Sequence, residues 1–248
     1  MEITQKNRNS IFSILVKKDD SHVMHLGTGF FIGLKGLFFT CGHTFRKNEA
    51  YIDELFIAFP QSKSELYKIK SLYYKSFEIY KQKGPEYHDA AIGIIDYDNS
   101  DFLVFNRKRP KNKSTLFAIG IKNDSPTKLH PLNGNKADLS LLKLVPTKLT
   151  VDLLQKALIS DLLNDYKLPR EDVAPERFFN NCVEMTGVLE KGESGCPILD
   201  NKGLVSGTFI AYNEQANSSA MILSKHCTKA IRYNTYYHYD IYQDLTLR

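Results

Sequence analysis

Three short stretches carry side chains that could do chemistry together: Thr40-Cys41-Gly42-His43, His88-Asp89-Ala90-Ala91 and Gly192-Glu193-Ser194-Gly195-Cys196-Pro197. In chain order they supply an imidazole, a carboxylate and a hydroxyl. A serine hydroxyl becomes a competent nucleophile only when a base removes its proton during attack. An imidazole serves as that base when a carboxylate accepts its Nδ1–H, fixing the tautomer and stabilising the imidazolium. The glycines around Ser194 let the backbone turn tightly enough for two N–H groups to converge on a developing oxyanion. The chemistry outlined is attack on a carbonyl carbon by way of an acyl-enzyme.

Each stretch also has a fitting local setting. Phe38-Phe39-Thr40 reads as an apolar strand that ends just before His43. Asp89 opens the apolar run Asp89-Ala90-Ala91-Ile92-Gly93-Ile94, and His88 beside it points to the opposite face of an extended chain. Ser194 precedes a strand–turn–strand pattern: Pro197-Ile198-Leu199, the polar turn Asp200 to Gly203, then Leu204-Val205-Ser206-Gly207. The histidines His22, His25, His130, His226 and His238 lack such a setting. Asp96 and Asp98 read as loop residues.

The elements that must position these groups are mostly short strands parted by turns. Strands are expected at 11–16, 28–32, 37–40, 55–59, 68–74, 90–95 and 115–120, then at 182–189, 197–199, 204–212 and 220–223. Strands at this close spacing point to a barrel or sandwich rather than a βαβ sheet. The exception is 147–168. There Val151, Leu154, Leu158 and Leu162 recur at helical spacing, with Thr150 as a cap, Asp152 in the first turn and Pro169 as a stop. The polar stretch 170–181 continues the interruption, with a short turn of helix from Pro175. Residues 224–233 could close the chain as a helix.

Composition sets the bounds. The chain has 248 residues, 42% hydrophobic and 25% charged, with formal net charge +5. That is ordinary globular material, enough for one large all-β domain or two lobes. Lys and Arg are scattered; the one cluster, Arg107 to Lys111, reads as an exposed loop, so a nucleic-acid partner is not expected. No run approaches the roughly 20 apolar residues of a membrane span, and Met1 to Asn9 is polar without an apolar signal core. Cys41, Cys182, Cys196 and Cys227 show neither CxxC nor metal-ligand spacing. They read as free thiols in a reducing, cytoplasmic setting.

Over residues 10 to 225 the sequence resembles the chymotrypsin-like (trypsin-fold) serine proteases. Gly-Glu-Ser-Gly-Cys-Pro is similar to their Gly-Asp-Ser-Gly-Gly-Pro. Thr-Cys-Gly-His resembles their Thr-Ala-Ala-His, Cys41 and Gly42 replacing two alanines, and Asp-Ala-Ala-Ile resembles their Asp-Ile-Ala-Leu. The order His, Asp, Ser is theirs too, and not that of subtilisins or α/β-hydrolases. The resemblance implies a mainly β fold of two barrels with a helical insertion at about 147–181 and a C-terminal helix. A lobe of residues 1–110 would carry His43 and Asp89, and a lobe of 111–248 would carry Ser194.

It further implies peptide-bond hydrolysis, with His43 as base, Asp89 orienting it and Ser194 attacking. The N–H groups of Gly192 and Ser194 would hold the oxyanion, without metal or cofactor. Phe209 to Tyr212, through Ile210, Ala211 and Tyr212, would pair with a protein or peptide substrate. Val188 would lie at the pocket floor; Glu184 and Glu190 are near, but no acid falls at the floor, which implies an uncharged P1 residue. Glu193 stands where secreted members pair an acid with a newly cut amino terminus, and no such cut is expected here. The helical insertion would dock a regulatory protein partner, as protease effectors of bacterial defence or signalling systems do.

Three other readings compete for these residues. A lipase-type nucleophile elbow needs a glycine where Cys196 stands and a helix where Pro197 begins a strand. A cysteine protease would put its cysteine at position 194. A catalytically silent scaffold that binds peptides is the serious rival, since fold does not fix function.

Overall fold

The computed structural model describes residues 2–46, 54–61, 63–76, 89–125, 127–155, 158, 181–225 and 227. A helix, α1 (Gln5–Ser10), comes first. Thr4 caps it reciprocally with Asn7: Asn7 N–H donates to Thr4 Oγ1 at 3.2 Å and Thr4 N–H to Asn7 Oδ1 at 3.0 Å. The polarity of this stretch, which the sequence left without an element, is that of a capping box.

Among the described residues fifteen strands follow, with a further short helix between the third and fourth. β1 (Ile11–Asp19), β2 (His22–Phe31), β3 (Leu37–Thr40), β4 (Leu55–Ala58), β6 (Tyr67–Ser76) and β7 (Asp89–Ile95) run in the order β1-β4-β6-β7-β3-β2, and a β1–β2 pairing closes them into a barrel. β8 (Thr115–Asn123), β11 (Leu142–Asp152), β12 (Cys182–Thr186), β13 (Pro197–Leu199), β14 (Val205–Asn213) and β15 (Ser218–Leu223) form a second closed barrel, β11-β12-β15-β14-β13-β8. Closure removes the exposed edges that an open antiparallel sheet presents. The short strands β5 (Ser64–Glu65), β9 (Leu129–Asn133) and β10 (Lys136–Ala137) extend the first sheet from β2. So a hairpin from the second half of the sequence lies on the first barrel.

The apolar runs that looked continuous in sequence are divided by the period of two. In β3, Phe38 turns into the first barrel while Leu37 and Phe39 face a layer shared by both barrels; in β7, Ala91 and Ile92 divide the same way. In the second barrel Ala118, Ile198 and Met221 point inward, and Ile119, Leu199 and Ile222 join the shared layer. Strands buried on both faces need apolar residues at consecutive positions. Alternation is therefore hidden wherever the barrels meet.

The first barrel is filled by rings: Phe12 packs 4.8 Å from Phe31 and 5.5 Å, edge-on, from Phe38. A Cβ on Gly93 would fall 2.2 Å from Phe38 Cζ. Gly93→Ala is therefore expected to overpack the barrel and cost about 1–3 kcal/mol, as core insertions of this size do. A midpoint of chemical unfolding equal to that of the unsubstituted protein would refute this.

The helix expected from 147 does not begin there. Residues 147–152 belong to β11, where Leu142 to Thr150 pair with Asn123 to Thr115 and Thr150 to Asp152 pair with Thr186 to Glu184. Leu149 and Val151 are buried at a spacing of two, whereas Leu154, assigned to the apolar helix face, is 82% exposed. Thr150 is thus a ladder residue and not a cap. Asp152 ends the strand by accepting N–H groups from Leu154 (3.1 Å) and Gln155 (3.3 Å). Residue 158 is helical; the remainder of the expected insertion and most of the expected C-terminal helix lie outside the described residues, though 224, 225 and 227 are helical. Pro146 sits in β11 opposite Ile119, and among the described residues no strand pairs with its other side, where a missing N–H is tolerated.

Candidate active site

Register brings the imidazole to the carboxylate. β3 and β7 are antiparallel neighbours with Thr40 opposite Ala91, so the turn after Thr40 runs alongside Asp89. The chain then enters α2 (His43–Arg46), with Phe45 N–H donating to the Gly42 carbonyl at 3.1 Å and the Phe45 ring buried in the first barrel. His43 Nδ1 lies 2.6 Å from Asp89 Oδ2, and His43 backbone N–H donates to Asp89 Oδ1 at 2.7 Å. One carboxylate thus holds both ring and backbone. Because a carboxylate only accepts here, Nδ1 carries the proton and Nε2 keeps its lone pair. Asp89 is buried, while the His43 side chain is 26% exposed. Burial disfavours the imidazolium, but the Asp89 carboxylate and the Cys41 sulfur outweigh it and hold the His43 pKa well above its ordinary value.

The Gly192–Cys196 turn of the second barrel is keyed into β2 and β3 of the first. Thr28 N–H donates to the Ser194 carbonyl at 2.8 Å. Gly195, at φ +87°, could not carry a Cβ: one would lie 2.0 Å from Thr40 Oγ1 and 3.0 Å from Cys41 N. Ser194 is half-buried. Among the described residues its hydroxyl makes no hydrogen bond, to His43 or otherwise. The atom beside His43 Nε2 is instead Cys41 Sγ, at 3.6 Å, and that thiol lies 2.9 Å from Thr44 Oγ1. In free enzymes catalytic hydrogen bonds are commonly long and tighten with substrate.

No acceptor among the described residues takes the N–H of Gly192 or of Ser194. The neighbouring groups are engaged: Gly195 N–H donates to the Phe209 carbonyl (3.0 Å) and Cys196 N–H to the Glu193 carbonyl (2.9 Å). The Gly192 carbonyl accepts from His25 Nε2 at 2.9 Å and from Thr28 Oγ1 at 3.2 Å. His25, which has no site-like setting in the sequence, is thus a direct neighbour of the candidate site. It is buried, and burial pushes its pKa down to about 4, so it stays neutral. Its Nε2–H therefore donates to Gly192, and its Nδ1 accepts from Ser13 Oγ at 2.7 Å. The available signal was a histidine inside a strand flanked by Val23, Leu26 and Phe30, where a buried polar ring must find partners.

Glu193 is wholly buried. Its Oε2 accepts Glu190 N–H at 2.7 Å, and its Oε1 has no partner among the described residues. Burial pushes its pKa up to about 7, against the Glu190 N–H and Lys122. A Cβ on Gly120 would fall 2.3 Å from Oε1, so this acid occupies space that only glycine leaves open. Of the residues expected near the specificity pocket, Val188 is half-buried in the loop after β12, and Glu184 is buried within β12. Glu190 is exposed and paired with Lys122 at 2.6 Å. In β14 Ile210 is buried and Ala211 and Tyr212 half-buried, with a register shift between Phe209 and Ala211. Cys41, His43 and Asp89 also bring ligand atoms within 4.8 Å of one another, near enough to share one metal ion.

Two closed six-stranded barrels with this site where they meet define the chymotrypsin-like fold. Solved structures agree. The Rv3671c protease of M. tuberculosis in its active form superposes with a TM-score of 0.58 at 14% identity, covering 91% of this chain and 80% of that one. A scabies mite inactivated protease paralogue, S-D1, gives 0.60 at 11% identity, covering 94% of each. Neuropsin, a serine protease of mouse brain, gives 0.57 at 10% identity, covering 94% of this chain and 96% of that one. No family model and no curated protein matches the sequence. At these identities the likeness is one of fold. Among the described residues no helix is long and apolar enough to cross a membrane, and all four cysteines are free and buried.

Proposed function

We propose that the chain is a trypsin-like serine endopeptidase acting through His43, Asp89 and Ser194. The observation that carries this reading is the double hold of Asp89 on His43, at 2.6 and 2.7 Å. It leaves Nε2 as an acceptor beside the turn that bears Ser194. The Ser194 hydroxyl gives its proton to Nε2 as Oγ attacks the scissile carbonyl. The N–H groups of Gly192 and Ser194, which have no other acceptor among the described residues, stabilise the oxyanion. His43 then returns the proton to the departing amine, leaving an acyl-enzyme that water hydrolyses by the same steps in reverse roles. Such a reaction needs neither metal nor cofactor.

The substrate is a protein or peptide whose backbone adds a strand along Ile210, Ala211 and Tyr212. β13 pairs with β14 only at Val205, Gly207 and Thr208, so among the described residues the edge of this stretch away from β15 has no strand partner. With Val188 at the pocket floor and Glu190 engaged by Lys122, an uncharged P1 residue is favoured. The likeness to an inactivated paralogue keeps a second reading in play, in which the same cleft binds peptides without cutting them. A serine-directed phosphonate separates the two. We expect one equivalent of covalent label on the wild type and none on Ser194→Ala. Labelling that survives the substitution would remove Ser194 as nucleophile, and no labelling of either would favour the silent scaffold.

A further inference from the structure

The reaction just proposed makes no use of Cys41, yet this thiol adjoins the base nitrogen. Cys41 Sγ and His43 Nε2 are 3.6 Å apart. Two ligands of one tetrahedral zinc, at about 2.0 Å for nitrogen and about 2.3 Å for sulfur, stand about 3.5 Å from each other. The pair is thus already spaced to share an ion. Asp89 cannot be the bridge on the other side of the ring, because its 2.6 Å contact with Nδ1 is a hydrogen bond with no room for a cation. It holds instead the place of the carboxylate behind a ligating histidine, which fixes the tautomer and raises the ring's basicity. Thr44 Oγ1, 2.9 Å from Sγ, orients the sulfur in the same way. Thiolate and imidazole together select a soft or borderline cation over Mg²⁺ or Ca²⁺.

We propose that Cys41 and His43 form a Zn²⁺ site, with Asp89 as the outer partner of the histidine and water completing the coordination, and that the bound ion switches the peptidase off. Cys41 has no exposed surface while the His43 side chain is partly exposed, so the ion reaches the pair past His43. Once there it occupies the lone pair that must take the proton of Ser194. The binding claim stands on geometry alone; the inhibitory claim rests on the endopeptidase reading.

The test uses the full chain stripped with a chelator and titrated with Zn²⁺ by calorimetry, and with Co²⁺ by absorption. Wild type should bind one equivalent and show a thiolate-to-cobalt charge-transfer band. In Cys41→Ala the band should vanish and the affinity fall at least about tenfold; Asp89→Asn should weaken binding about 10- to 100-fold, as loss of an outer partner does. Peptide hydrolysis by wild type should drop on adding Zn²⁺ and recover with chelator, while the ratio of rates with and without Zn²⁺ stays near one in Cys41→Ala. Cys41→Ser, which keeps the side-chain volume, replaces the alanine variant should the latter fail to unfold cooperatively. Equal Zn²⁺ affinity in wild type and the Cys41 variant, or cobalt binding without the band, overturns the site. If no form hydrolyses peptides, the calorimetric and spectroscopic arms still decide the metal site, and only the endopeptidase reading falls.

Discussion

Ser194→Ala lowers kcat/KM for a cleaved peptide by about 10⁴-fold or more, the range seen when the nucleophile of a serine hydrolase is removed. That corresponds to at least about 5 kcal/mol of transition-state stabilisation, at 1.36 kcal/mol per factor of ten. The same change should leave the fold intact. Ser194 is half-buried, and its hydroxyl makes no hydrogen bond among the described residues; its structural role runs through its carbonyl, which alanine keeps. Stability should therefore move by less than about 0.5 kcal/mol. The two readouts, steady-state kinetics and chemical unfolding, separate a chemical role from a scaffolding one. Hydrolysis within tenfold of wild type in this variant would end the assignment of Ser194.

Asp89→Asn should cost nearly as much, about 10⁴-fold in kcat, by a different route. An amide at this position offers its NH₂ to Nδ1, so the ring proton moves to Nε2, the nitrogen that must accept from Ser194. The pH profile shows the mechanism. Catalysis needs unprotonated His43, whose pKa stands well above 6.5 because Asp89 and Cys41 outweigh burial. In wild type, activity therefore rises with pH through an inflection above the ordinary histidine range, and in Asp89→Asn that inflection falls. The stability term has the matching sign. A raised pKa contributes stability that is fully present below the unfolded value of about 6.5 and is lost as pH rises through the folded value. An unchanged inflection in Asp89→Asn would show that the carboxylate does not govern His43.

The places where sequence and structure diverge share physical causes. At 147–152 the apolar spacing satisfied two periods at once. Leu149 and Val151 fit a strand, and Val151 with Leu154 and Leu158 fit a helix turn. Only pairing with β8 and β12 broke the tie, because ladder hydrogen bonds lie between segments far apart in sequence. The local sequence hides the place of His25 for a related reason. Its neighbours in the chain are apolar strand residues, while its partners, Ser13 and Gly192, arrive from another strand and from the other barrel. Of the expected contacts of the imidazole, the one to Asp89 is formed, none to the Ser194 hydroxyl is found among the described residues, and Cys41 Sγ lies 3.6 Å from Nε2.

The sequence by itself determined the strand-rich class, most of the strands and the three stretches able to do chemistry. Those are local matters, set by side-chain period, turn residues and the reactivity of single groups. Tertiary structure alone decided which nitrogen of His43 keeps its lone pair, what stands beside it, and which carbonyl His25 restrains. Register sets the first, since a one-residue slip of β7 against β3 would turn Asp89 to the other face. Close approach of backbones sets the others. Gly195 and Gly27 admit the Ser194 segment against Thr40 and Thr28 only because they carry no Cβ.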